Sequence, residues 1–305
     1  MKVISVINCK GGVGKTTFTV SISQALAISG FKVLAIDNDS QHNLTYLLGE
    51  KIFHPNIRDI YRSSIKTARR NFLYSIRETG LSNLHIITSQ STLKYTDVRD
   101  PFILVKIIKF YDLDRFYDFI LIDNPPGLDL LQEASIHASN EIFVPTDLSY
   151  FAINGIREMS SRMNEKFRSA YKISRIIPNG YRNLKPHKYY LTALNNNFPD
   201  IVSKTYIPYD PVFDLCMRDG KILFIHRLYS KAATNYLKLA HELFNLNEDV
   251  TWEKVMEKRQ KSLRKEARIR YFIQKEGTKN TKPVLQKEGK VIKYVAKEEL
   301  KSQTK

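Results

Sequence analysis

The chain is short of cysteine, of acidic side chains and of long apolar runs, and each shortage excludes something. Two cysteines in 305 residues, Cys9 and Cys216, cannot build a disulfide framework, so a reducing compartment is expected. No apolar run approaches the roughly 20 residues that a membrane-spanning helix needs. Met1 to Asn8 passes directly into a strand pattern and leaves no room for a signal peptide, so the expected location is cytoplasmic. The seven histidines show no metal-ligand spacing, and no internal repeat is visible. Against 31 acidic side chains stand 48 basic ones, a formal net charge of +17. Such an excess favours a polyanionic partner, nucleic acid first and an anionic membrane surface second. Lysine enrichment across a whole genome would give the same excess, so charge alone assigns nothing.

What is present is an alternation. Strand patterns occur at Lys2–Asn8, Val33–Asp37, Leu84–Thr88, Phe119–Asp123, Glu141–Pro145, Ile173–Pro178 and Lys204–Ile207. Helical patterns fill the gaps at Thr16–Ser29, Ile57–Ser63, Thr67–Thr79, Phe102–Tyr111, Leu128–Ala138, Ile153–Phe167, Lys188–Asn196 and Lys231–Phe244. Runs such as Phe119-Ile120-Leu121-Ile122 lack polar alternation, as strands covered on both faces do. The expected class is α/β, a doubly wound and mostly parallel sheet flanked by helices, with ligands at the carboxyl ends of the strands. Composition shifts near Asn245-Leu246-Asn247, which divides the chain into residues 1–247 and a basic C-terminal extension, 248–305. In the extension, Trp252 to Lys275 reads as a basic helix with a patchy apolar side. The segment Val284 to Val295 reads either as a small hairpin around Glu288-Gly289 or as a disordered basic tail.

The chemistry concentrates in Cys9-Lys10-Gly11-Gly12-Val13-Gly14-Lys15-Thr16-Thr17, which follows the apolar run Val3–Ile7 and precedes a helix. Strand, glycine-rich loop, helix is the context of a phosphate loop. The glycines let backbone N–H groups converge on phosphate oxygens, and the helix adds its positive end. Lys15 would reach the β- and γ-phosphates, the Thr16 hydroxyl would ligate Mg²⁺, and Thr17 would bond the α-phosphate.

A second lysine, Lys10, stands before the glycines, and the run K-G-G-V-G-K-T-T resembles the deviant phosphate loop of the ParA/MinD ATPases. The resemblance implies ATP and Mg²⁺ as ligands, and a Lys10 that crosses a dimer interface to the partner's nucleotide. Asp37-Asn38-Asp39-Ser40-Gln41-His42-Asn43 looks like the family's D-x-D-P-Q-x-N switch segment, with Ser40 in place of proline. By that likeness Asp37 lies near the metal and its waters, and Asp39 orients the attacking water; the bland reading is that both cap the next turn. Asp123, followed by Asn124-Pro125-Pro126-Gly127, resembles the second switch, where a carboxylate holds Mg²⁺ through water. Val144 to Gly155 resembles a family packing and dimer segment. Asn179 falls where relatives place an adenine contact, Pro208 matches the family's I-P, and the likeness runs over about four-fifths of the chain, Met1 to Asn245.

After that I-P, DNA-binding relatives often carry arginines, whereas here stands Tyr209-Asp210-Pro211-Val212-Phe213-Asp214. Arg182, Arg218, Lys221, Arg227 and Lys231 are the candidate replacements, with Lys185 and the basic extension, for a surface that contacts phosphates without reading sequence. The leading expectation is a ParA/Soj-type partition ATPase: an ATP-dependent homodimer that binds nucleoid DNA and is stimulated to slow hydrolysis by a ParB-like centromere-binding protein. No helix-turn-helix segment precedes Lys2, so operator-specific repression is not expected. The alternative is a MinD-like ATPase that cycles on membranes, for which the Trp252 helix has too interrupted an apolar face. A module that clamps ATP without hydrolysis ranks last, because Lys15 and Asp39 are both present. No cysteines stand near the second switch to hold an iron–sulfur cluster.

Overall fold

A computed structural model describes residues 1–49, 51–218, 223–227 and 230–246, together with the strands Thr281–Leu285 and Ile292–Ala296. The chain runs β1 (Lys2–Val6), α1 (Lys15–Ile28), β2 (Val33–Asp37), α2 (Asn43–Leu47), α3 (Ile57–Arg62), α4 (Ile65–Ser75), β3 (Ile76–Glu78) and β4 (Leu84–Ile87). It continues through α5 (Ile103–Phe110), β5 (Phe119–Asp123), α6 (Leu130–Ala138), β6 (Glu141–Thr146), α7 (Tyr150–Phe167), β7 (Arg175–Pro178) and α8 (Lys185–Asn197). Three further helices follow: α9 (Val212–Arg218), α10 (Leu223–His226) and α11 (Lys231–Phe244). A separate antiparallel pair, β8 (Thr281–Leu285) and β9 (Ile292–Ala296), lies in the extension. The turn expected around Glu288-Gly289 and the helix expected at 252–275 lie outside the described residues.

Seven strands form one sheet in the order β3-β4-β2-β5-β1-β6-β7, parallel throughout except for β3 against β4. The central strands are buried on both faces, which is why they read as unbroken apolar runs. Alternate residues go to opposite cores. Val33, Ala35, Phe119 and Leu121 join the core under α1 and α11, while Leu34, Ile36, Ile120 and Ile122 join the core under α3 to α6. In the first core Phe18 of α1 meets Phe143 edge-on at 6.2 Å and Tyr236 of α11 at 6.4 Å. This packing fixes α1, and with it the loop that precedes it.

Two expectations need correction. The helical pattern Thr67–Thr79 ends at Ser75, and Ile76–Glu78 becomes the antiparallel edge strand beside β4. Lys204–Ile207 is not a strand. Its first two amides, Lys204 N–H and Thr205 N–H, donate to the Glu242 carboxylate of α11 at 2.6 and 2.7 Å, so they are taken out of any ladder.

Candidate functional site

The carboxyl ends of β1, β2 and β5 meet at one point: Asp37 and Asp123 are cross-strand partners, and Val6 pairs with Asp123. The loop 9–14 leaves β1 there and bends into α1 at Gly14, whose φ of 89° suits glycine and not an L side chain. Space demands glycine as well, because a Cβ at Gly14 would stand 2.1 Å from Asn179 Nδ2. No side chain caps the first turn of α1, so its leading N–H groups remain for a ligand. A cavity of about 520 Å³ opens over this turn. Gly12, Gly14, Lys15, Thr16 and Thr17 line it on one side, Asp39, Gln41, Asn43 and Pro126 border the switch segments, and Asn179, Pro208, Tyr209, Asp210, Phe213 and Asp214 complete the wall.

Lys15 is buried, with Nζ donating to the carbonyls of Asn8 and Lys10, both at 3.3 Å. Burial lowers its pKa, and the carboxylates of Asp123 and Asp39 pull it back up. Thr16 Oγ1 donates to Asp123 Oδ2 at 2.7 Å, and Thr19 Oγ1 donates to Asp123 Oδ1 at 3.0 Å. A hydroxyl that donates in this way keeps its lone pairs for a cation. Asp37 Oδ2 accepts from both Thr45 N–H, at 2.8 Å, and Thr45 Oγ1, at 2.7 Å, which anchors α2. Asp39 is nearly buried and accepts Gln41 N–H at 2.9 Å, so the turn-capping role weighed for both aspartates is real for both. Burial pushes the Asp37 carboxyl up to about 7. It does the same to Asp123, with repulsion from Asp37 added. Two carboxyls so placed favour a cation beside them, and Thr16 adds a neutral oxygen; this donor set is all oxygen, as Mg²⁺ prefers. Among the described residues no three or more His, Cys, Asp or Glu are grouped to hold a metal ion.

Lys10 points away from the cavity's interior, with Nζ 2.7 Å from Asp147 Oδ2 and 3.4 Å from Ser149 Oγ. Lys10 is exposed and Asp147 half-buried, so solvent screens the ion pair in part. Gly11 and Val13 complete the loop, Val13 buried and its carbonyl accepting Asn179 Nδ2–H at 2.9 Å. Asn179 thus reaches the phosphate loop itself and closes it. Pro208 lies alongside, held because Ile207 N–H donates to Pro178 O and Tyr209 N–H to Tyr181 O.

The structure does not gather the candidate DNA residues at this cavity. Arg182 is exposed at its rim, its guanidinium 4.0 Å above the Tyr209 ring. Arg218 ends α9, Arg227 follows α10 and Lys231 begins α11, all exposed, while Lys221 lies outside the described residues. Cys9 is half-buried, its thiol pushed up by burial, with Sγ 3.7 Å from Gly127 O.

Sequence reasoning missed the buried amides between the switches. Asn38 Nδ2–H donates to Asn124 Oδ1 at 2.8 Å and Tyr61 OH donates to Asn38 Oδ1 at 2.8 Å. Asn124 Nδ2 lies within reach of Ser5 Oγ, Val6 O, Ile122 O and Ser135 Oγ. Both asparagines were legible only as variable positions inside the two switch motifs.

Comparison with known proteins agrees with this geometry. A family model described as "AAA domain" matches residues 1–174. The chain is 29% identical over 251 residues to the chromosome-partitioning ATPase Soj of Treponema pallidum (strain Nichols), covering 79% of this chain and 96% of that protein. It is 28% identical over 256 residues to the sporulation initiation inhibitor protein Soj of Bacillus subtilis (strain 168), covering 79% and 98%. Among solved structures, the septum site-determining protein MinD of Pyrococcus horikoshii OT3, complexed with Mg-ADP, is similar with a TM-score of 0.66 and 27% identity, over 82% of this chain and 99% of that one.

Proposed function

The chain belongs to the ParA/MinD family of partition ATPases, and we propose that it binds Mg²⁺–ATP in the cavity over α1, pairs face to face with a second copy, and in that state binds DNA without sequence preference. A ParB-like centromere-binding protein would stimulate slow hydrolysis and release the dimer. The observation that carries this reading is that Lys15, Thr16, Thr17, Asp39 and Asn179 line one cavity.

Each residue has a role in it. The first-turn amides and Lys15 neutralise the β- and γ-phosphates, and Thr17 bonds the α-phosphate. Thr16, with Asp37 and Asp123 acting through water, would hold the magnesium ion, which supplies charge compensation at the phosphate oxygens. Asp39 orients the attacking water, with its carboxylate fixed by the Gln41 amide. Asn179 and Pro208 seat the adenine. Lys10, itself exposed, leaves the half-buried Asp147 and reaches the other subunit's nucleotide. Arg182, Arg218, Lys221, Arg227 and Lys231, with the basic residues of 248–305, supply the phosphate contacts.

Titration calorimetry with ATP and sedimentation at saturating Mg²⁺–ATP test the reading. Uptake with a doubling of mass is expected; no uptake, or protomers only, overturns it. The likeness to MinD supports a second reading, cycling on an anionic membrane. Among the described residues no helix is long and apolar enough to cross a membrane, which leaves interfacial binding to be tested. Liposome flotation with ATP against an electrophoretic shift on random duplex separates the two.

A further inference from the structure

Between Glu165 and Asp200 the chain carries no acidic side chain, and within that stretch Tyr181 to Tyr190 combines Arg182, Lys185 and Lys188 with three tyrosines. The structure gathers part of this stretch into one surface at the edge strand β7. Tyr181 packs against Tyr206 with ring centroids 4.2 Å apart and planes tilted by 39°, and Arg182 N–H donates to His187 Nδ1 at 3.0 Å. Arg182 lies over Tyr209 at 4.0 Å, and Tyr209 N–H donates to Tyr181 O. Tyr189, one turn after Lys185 on α8, is 68% exposed, and Tyr209 is 49% exposed. The Tyr189 ring, left so open on a helix that carries no carboxylate, serves neither the core nor the phosphate loop.

We propose that this basic and aromatic surface binds a single-stranded nucleic acid, with phosphates on Arg182, Lys185 and Lys188 and an unpaired base stacked on Tyr189. The charge selects a polyanion, and the rings select the strand form. A duplex hides its base faces, so exposed tyrosines add no stacking to duplex affinity, whereas every unpaired base offers a π-face. The carboxylates of the neighbouring segment, Asp210 and Asp214, line the nucleotide cavity. Tyr209 lines the cavity and also carries the Arg182 guanidinium over its ring, so the surface adjoins the cavity wall. Any change in strand affinity that ATP causes must be matched, by linkage, by an equal change in ATP affinity that the strand causes.

The strand surface shares Arg182 with the proposed duplex contacts and adds Tyr189, which those contacts do not use, so the Tyr189 variants let the two readings fail separately. The test is fluorescence anisotropy of the full chain with labelled oligo-dT and with a random duplex of equal length, with and without Mg²⁺–ATP. Wild type is compared with Tyr189→Ala, Tyr189→Phe and Arg182→Ala. Tyr189→Ala should weaken oligo-dT binding at least about fivefold while leaving the duplex unchanged, and Tyr189→Phe should restore it, since stacking needs the ring and not the hydroxyl. Arg182→Ala should weaken both probes. Equal effects of Tyr189→Ala on the two probes, or none on either, overturn the proposal. Duplex binding without oligo-dT binding overturns it and spares the partition reading; oligo-dT binding without duplex binding does the reverse.

Discussion

Asn38 and Asn124 each follow a strand-ending aspartate, and their side-chain amides meet at 2.8 Å in a fully buried position. Their neighbours Asp37 and Asp123 are themselves cross-strand partners, so the two switches are tied twice at the same rung of the sheet. Asn124→Ala removes the acceptor of Asn38 and the donor that serves Ser5, Val6, Ile122 and Ser135. Buried groups left without partners cost their full desolvation, so a loss of about 2–4 kcal/mol is expected. The midpoint of urea unfolding should fall without a change in slope. A loss below 1 kcal/mol, roughly the net worth of one ordinary hydrogen bond, would mean that the amide network is not what joins the switches.

Stability should depend on pH through the same rung. The carboxyls of Asp37 and Asp123 titrate near 7 in the folded chain, against 3.8 ordinarily, because burial penalises their charged forms. Folded protein therefore holds protons that the unfolded chain has lost across that window. The contribution of the pair is greatest at the acid end, falls as pH rises, and levels off above about 7. Asp123→Asn isolates it, since an amide does not titrate. In EDTA and without nucleotide, the stability of the variant relative to wild type should rise from pH 5 to pH 8. Unfolding curves across that range that show a constant gap would contradict the assignment.

Gly14 and Asn179 give a second pair whose geometry can be tested. Gly14→Ala meets both a φ of 89° and an amide nitrogen 2.1 Å away, so Asn179 must leave the Val13 carbonyl. Nucleotide affinity should fall by at least about tenfold, equivalent to about 1.4 kcal/mol. Asn179→Ala alone should cost about 1 kcal/mol, the worth of one hydrogen bond. The double variant should recover part of the Gly14→Ala loss, because it removes the collision and keeps the strained backbone. Strictly additive losses by calorimetry would show that the two residues do not share the loop.

The sequence already showed those parts of the molecule whose signal is local. β2, β5 and α11 begin and end where their patterns do, because strands covered on both faces cannot alternate and α11 has one apolar side. The phosphate loop was legible because its chemistry is contiguous. What was not legible depends on distant partners. Ile76–Glu78 continues the helical pattern of α4 and becomes a strand only because β4 offers an open edge. Lys204 and Thr205 look like strand residues, and a carboxylate on α11 removes them from the sheet. Tyr209 and Phe213 were readable as a departure from the family pattern, yet only the fold places them in the wall of the cavity.

The last pair, Lys10 and Asp39, separates pairing from hydrolysis. Lys10 is held by one partly solvated ion pair, so Lys10→Ala should change stability by no more than about 1 kcal/mol and leave ATP uptake by the protomer intact. Sedimentation with Mg²⁺–ATP should then find protomers where wild type pairs, because the group lost is the one proposed to cross between subunits. Asp39→Ala should act in the opposite way. It removes the carboxylate proposed to hold water in line and spares the phosphate contacts, so the ATP dimer should accumulate on DNA while phosphate release falls by at least about a hundredfold. Gln41 N–H loses its acceptor in that variant, and Asp39→Asn separates the two effects because it keeps an oxygen for Gln41 and removes the charge. If Asp39→Asn hydrolyses ATP at the wild-type rate, Asp39 serves the turn alone and the water is placed by another group; if Lys10→Ala still pairs, the face that joins two copies does not use this lysine.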